Sequence, residues 1–358
     1  MEPIVTLSAF SEIDNYESSI NDVAMYFTDE ITNIFLMINF ACLCGLISFL
    51  GIIANIINLI IFYRQGLNTT INIGFFSLAL SDLCSLVLQQ VFNVFVNLRL
   101  SNSDVPVVFV EIQFLTATLS REMFTTITSL ITVYITAERC LCIVFPLQVK
   151  QMISLRSTIV VMIVIFAVTL LSPIAIYSTS YLEWKFYPNI NRSFLSMGYK
   201  DNFETCEVVS YFIHAIVGLV SYLAVVIFTL ILIYKLQEKH TFYRKANLNQ
   251  DKTRSLSKRD RTTMATVVLI ATILIVCFIP AGILCIMSFL EPEFNVRDKY
   301  HNMFYCLWSF AMLFESINSS VPIVLYLRMS TRFRTQFRLL FYRCLCPIES
   351  SVIKNKTW

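Results

Sequence analysis

Seven long apolar stretches separated by short polar segments dominate the chain. They run near Ile34 to Phe62, Ile71 to Val96, Val107 to Thr136, Thr158 to Tyr181, Val208 to Tyr234, Met264 to Leu290 and Tyr305 to Leu327. A helix needs roughly 20 apolar residues to cross about 30 Å of hydrocarbon, and each stretch meets that length. The runs are continuous and lack the period-2 alternation of a lipid-facing barrel, so helices are the expected element. The pattern therefore predicts an all-α membrane protein, a seven-transmembrane helix bundle. Composition agrees, because 56% of the 358 residues are apolar and only 14% are charged.

Beyond the seventh stretch the pattern changes. Phe333, Phe337, Leu340 and Phe341 share one helical face, while Arg332, Arg334, Arg338 and Arg343 occupy others. That arrangement predicts an eighth, amphipathic helix lying on the membrane surface. The expected organisation is an acidic extracellular tail (1–32), a seven-transmembrane domain (33–328), the amphipathic helix (329–343) and a cytoplasmic tail (344–358). Cys344 and Cys346, at the end of that helix, are candidates for palmitoylation. Free thiols on a merely amphipathic helix are the alternative.

Charge orients the bundle. The segment Lys235 to Arg261 carries nine Lys/Arg against three acids, and the chain after Tyr326 carries seven against one. The first thirty residues hold seven acids and no basic residue. The positive-inside rule then places the N-terminus outside and the C-terminus in the cytosol, as expected of a multi-pass plasma-membrane protein. The opening has no basic-plus-apolar leader, so the first span is expected to direct insertion itself. Membrane lipids are expected partners, and nothing in the charge pattern points to nucleic acid. The outer loop near Leu182 to Cys206 carries the sequon Asn191-Arg192-Ser193, which makes Asn191 a candidate glycosylation site.

Polar residues inside apolar spans are costly, and those present are candidates for function. Glu138-Arg139 closes the third span, and Asp260 at the inner start of the sixth is a second candidate receiver for Arg139. Asp82 lies mid-span in the second. Arg121 and Glu122 are adjacent in the outer half of the third span, about five turns above Arg139, and Glu315 lies in the seventh. An Arg121–Glu315 pair would link spans three and seven; alternatively Arg121 receives a ligand carboxylate in its forked guanidinium. Among the eleven cysteines, Cys206, Cys285 and Cys306 lie toward the oxidising side, so a Cys206–Cys306 or Cys285–Cys306 bridge is an open expectation. Most of the remaining thiols lie in apolar spans, where small buried thiols are common.

The motifs, in order, resemble the rhodopsin-like (class A) G-protein-coupled receptors over about residues 30 to 345. The matching segments are Gly51-Ile-Ile-Ala-Asn55, Ser77-Leu78-Ala79-Leu80-Ser81-Asp82, Glu138-Arg139-Cys140 with Pro146 following, Cys277-Phe278-Ile279-Pro280, Asn318-Ser319-Ser320, and Tyr326 through Phe333. The set looks divergent, like invertebrate chemosensory or peptide-type receptors. The resemblance implies an extracellular ligand, a heterotrimeric G protein as partner, and an inactive-state lock and coupling surface at Glu138, Arg139, Asp260 and Tyr326. It implies activation hinges at Pro280 and Pro322, and a ligand pocket around Arg121, Glu122, Phe278 and Glu315, with Phe124 and Phe310 nearby as candidate floor residues. It also implies an allosteric sodium ion at Asp82, Thr128, Asn318 and Ser319; a protonated or hydrogen-bonded Asp82 is the alternative. No other cofactor is expected.

Departures from the family narrow these expectations. Phe114 stands where the family's span-three cysteine would be, so the usual bridge to the outer loop cannot form. Arg121 stands where amine receptors carry aspartate, which disfavours an amine held in the usual way. Pro322 and Ile323 stand where the family has Asn-Pro. Ligands of two kinds fit, a peptide or a small carboxylate-bearing molecule, and a seven-helix protein that sequesters ligand or pairs with another receptor without coupling is the alternative function. Other classes find little support. The seventh span holds no lysine for a retinal Schiff base, no repeated halves suggest a transporter, and His214, His240 and His301 are too dispersed for an enzyme's metal motif.

Overall fold

The computed structural model describes residues 28–100, 105–145, 153–188, 191–245, 251–291, 293–294 and 298–345, with the side chains of 239–261 and 342–345 outside that description. Seven helices are long and apolar enough to cross a membrane: α1 Asp29–Gln65, α2 Thr70–Leu100, α3 Phe109–Val144, α4 Leu155–Thr179, α5 Phe203–Glu238, α6 Thr262–Leu290 and α7 His301–Met329. An eighth helix, α8, covers Thr331–Leu345. Helices five and six continue beyond these limits, as Phe203–Lys245 and Asp251–Leu290.

Each boundary has a local cause. Thr28 caps α1, its hydroxyl accepting from the Ile31 amide, and Asp29 and Glu30 sit in the first turn where the helix dipole favours acids. Gly66 ends α1 with φ of 85°, a conformation open to glycine. Pro280 lies inside α6 without ending it. The second candidate hinge behaves differently: α7 is interrupted at Val321, and Pro322 opens its final helical segment. Proline suits a first helical position, where its missing N–H has no partner to lose. Two π-helical segments interrupt the spans, Ile38–Cys44 in α1 and Phe114–Thr118 in α3. Such insertions shift the face on which later side chains emerge.

Packing follows α1–α2–α3–α5–α6–α7 and back to α1, with α4 outside against α3 and α2. Burial is inverted relative to a water-soluble protein. Phe289 is 85% exposed and Val208 67%, whereas Asn55, Asp82, Gln89, Arg121 and Thr136 are almost completely enclosed. Lipid solvates the first group, and the interior must satisfy the second. Asn55 does so by donating its amide to the carbonyls of Gly51 (3.0 Å) and Ser319 (2.8 Å), tying α1 to α7. Gly51 makes that approach possible, since a Cβ there would meet Ser320 Oγ and, at 2.7 Å, Leu86 Cδ1.

The segment between α4 and α5 differs from the expected loop. It forms an antiparallel hairpin, β1 Ser180–Tyr187 with β2 Arg192–Tyr199, pairing Ser180 with Tyr199 and Tyr187 with Arg192. Its aromatic residues favour extended backbone, but Trp184 and Phe186 remain exposed. No clean alternation therefore marked it in the sequence. The fourth span accordingly ends at Thr179, and Tyr181 belongs to β1.

The expected disulfides are also corrected. Cys206 and Cys285 are unbridged, and Cys306 is buried with its Sγ 3.9 Å from Thr32 Oγ1. Packing places each thiol on a different helix without a cysteine partner.

Candidate functional site

The polar interior forms layers along α3. At its inner end the buried Glu138 accepts from Arg139 Nη2 at 2.7 Å and from the Thr70 hydroxyl of α2. Glu138 Oε2 and Arg139 Nε remain buried without partners among the described residues. The pair is thus held to α2 but incompletely satisfied, a state suited to exchange for other partners. Asp260 falls within helix six, but its side chain lies outside the described residues, as do those of Cys344 and all of Cys346 and Pro146. Cys140 sends its Sγ across to the Phe228 carbonyl of α5 at 3.2 Å. A small residue here lets α3 and α5 meet directly.

Tyr326 is engaged elsewhere than the Glu138–Arg139 pair. Its ring packs against Phe62, Phe75 and Phe333, a box that joins α1, α2, α7 and α8. Its hydroxyl is buried and has no partner among the described residues. Burying a hydroxyl without a bond is costly, so the group has a reason to leave when a partner appears.

Four of the residues expected to surround an ion line the middle of the bundle. Thr128 Oγ1 donates to Asp82 Oδ1 at 2.9 Å and lies 3.1 Å from Ser81 Oγ. Asn318 and Ser319 are buried beside the α7 interruption. The donors are all oxygens and include one carboxylate, a set that suits a hard cation.

Toward the N-terminal end of α3 lies an ion triad. Arg121 is 2% exposed; its Nη1 meets Glu122 Oε1 at 2.5 Å and its Nη2 meets Glu315 Oε2, linking α3 to α7. A buried guanidinium requires such pairing. Glu122 differs from its partners because its side chain is 32% exposed. One turn inward, Thr126 Oγ1 lies 3.2 Å from His214 Nε2 of α5. Phe278 is half-buried beside Val225, Ala271 and Leu274 between α5 and α6, and Phe124 packs toward the inner core. Phe310 does not line this interior: it is 41% exposed and stacks on Phe35, 5.2 Å between centroids. Packing with α1 turns that ring to the lipid face.

The hairpin is fastened to α3 without a covalent bond. Glu111 Oε2 accepts from Ser196 Oγ at 2.6 Å and from the Met197 amide at 2.7 Å. Two backbone bonds reinforce it, Val108 N to Leu195 O and Leu195 N to Pro106 O, each 2.9 Å. Met197 is fully buried with Leu119, Ile176 and Phe203, and Phe114 packs against the same cluster. Glu111 was not among the expected site residues. The signal was an acid three positions before Phe114, beside the place where a bridging cysteine is missing. Asn191 stands exposed at the hairpin turn with φ of 51°, a conformation asparagine adopts more readily than most residues.

Seven membrane-length helices enclose a charged pair ending α3 and a buried polar column along the same helix. No curated protein matches the chain. A family model does, that of the serpentine type 7TM GPCR chemoreceptor Srw, over residues 37–344, and the chain belongs to that family of receptors.

Proposed function

We propose that this receptor sits in the plasma membrane with its N-terminus outside, binds an extracellular ligand between the outer halves of its helices, and activates a heterotrimeric G protein. The observation that carries the reading is the single helix α3, which holds one ion cluster at its outer half, joined to α7, and another at its inner end, joined to α2. A ligand that alters the first biases the arrangement of helices around the second. The unsatisfied Glu138 and Arg139 atoms supply the inner half of a latch, and Asp260 of helix six its other side. Pro280 and the break at Pro322 are where α6 and α7 bend. Sodium belongs at Asp82, Thr128, Asn318 and Ser319, where it would neutralise the buried carboxylate and favour the resting arrangement.

A ligand carboxylate at Arg121 would have to displace Glu122 or Glu315, because both already bond the guanidinium. The geometry favours ligands that leave the triad joined.

Nucleotide exchange on a panel of G proteins, driven by full-length receptor in cell membranes, tests the coupling. Asp260→Ala is expected to raise basal exchange and Arg139→Ala to abolish it. Identical basal activity in all three, with no stimulation by any extract, would favour a non-coupling ligand-sequestering or partner receptor.

A further inference from the structure

In the Arg121 triad one guanidinium serves two carboxylates, each through a single oxygen. Glu122 is the member left incomplete. Its Oε1 is bound to Arg121, its Oε2 has no partner among the described residues, and it is the one member of the triad with substantial exposure, 32% against 2% and 10%. His214 of α5 stands one turn inward, at Thr126.

A second observation is independent of these charges. Gln89 of α2 is 1% exposed, its Nε2 donates to Asn93 Oδ1 at 2.8 Å, and its Oε1 is buried with no partner among the described residues. Helices α2 and α3 run antiparallel and touch at Ser85 and Thr125. One turn outward on each brings Gln89 level with Arg121. The unmet groups at this level of the bundle, the Glu122 Oε2 and the Gln89 Oε1, are both acceptors, and what completes an acceptor is a donor.

We propose that the ligand of this receptor carries a cationic donor group, an ammonium or guanidinium, and that Glu122 binds it. This rests on the reading of the outer bundle as the ligand site. Arg121 is a positioning residue here: it fixes Glu122 by one oxygen and leaves the other without a partner among the described residues. The specificity runs opposite to that of a site built on an open arginine.

The test uses purified full-length receptor in nanodiscs and four probes sharing one phenylpropyl scaffold, ending in ammonium, guanidinium, carboxylate or hydroxyl. Thermal stabilisation is the binding readout. The two cationic probes are expected to raise Tm and the other two to leave it unchanged. Glu122→Gln keeps an acceptor for Arg121 while removing the charge, and is expected to weaken the cationic probes roughly 10- to 100-fold, with Glu122→Asp recovering part of the loss. Stabilisation by the carboxylate probe, undiminished cation binding in Glu122→Gln, or no stabilisation by either cation overturns the proposal. Nucleotide exchange is read in parallel: cation binding without exchange would leave the site intact and fail the coupling reading, whereas exchange driven by a purely anionic or neutral ligand would do the reverse.

Discussion

Removing the Glu111 carboxylate should undock the outer hairpin while leaving the bundle folded. In Glu111→Ala, the Ser196 hydroxyl and the Met197 amide lose the oxygen they share, at 2.6 and 2.7 Å. Both residues are 0% exposed, so water does not replace it. Hydrogen bonds to a charged group contribute about 1.5–3 kcal/mol each. Allowing for partial relaxation, the docked hairpin should lose about 3–4 kcal/mol, which corresponds to roughly 10²- to 10³-fold more frequent opening. The two remaining backbone bonds to Pro106 and Val108 are uncharged and make the weaker part of the attachment. Hydrogen exchange of full-length receptor in nanodiscs, followed in peptides covering 192–199, reads the opening directly. Faster exchange by that factor is expected there, with protection of the transmembrane peptides unchanged. Glu111→Gln should fall between, since its amide oxygen still accepts but without charge. A reducing agent should have no effect on wild-type exchange, because no disulfide holds the described hairpin. Exchange in Glu111→Ala within threefold of wild type would refute the reasoning and give the backbone bonds and the Met197 contacts the whole of the attachment.

Other perturbations reach the remaining layers. Gly51→Leu should lower Tm strongly, and even Gly51→Ala should cost about 1–3 kcal/mol, because its Cβ collides with Leu86 and Ser320 at the α1–α7 contact; an unchanged Tm would show that the helices part without penalty. Arg121→Met should destabilise by about 3–5 kcal/mol by stranding Glu315 and Glu122, and Arg121→Met with Glu315→Gln should recover much of it; equal Tm loss in both variants would show that charge was not the cause. Replacing sodium with choline should lower the Tm of wild-type receptor but not of Asp82→Asn, and equal responses would remove the ion from Asp82.

The sequence by itself determined the class and the membrane spans. Hydrocarbon accepts few backbone arrangements, so twenty apolar residues specify a helix almost regardless of what surrounds them. The same rule made Asp82, Arg121, Glu138 and Glu315 conspicuous, because a charge in such a run is costly unless something receives it. Their partners were less legible. Arg121 and Glu315 are separated by 194 positions, and only the placing of α7 across the bundle from α3 lets one guanidinium bridge Glu122 and Glu315, leaving Glu122 as the exposed member. Tyr326 lies in its aromatic box because α8 folds back to place Phe333 against Phe62, which no local pattern encodes. The hairpin, the Glu111 latch, the outward-turned Phe310 and the unbridged cysteines also belong to tertiary structure. Each depends on which residues from distant segments share a few ångströms, whereas the membrane, acting on every residue alike, had already chosen the helices.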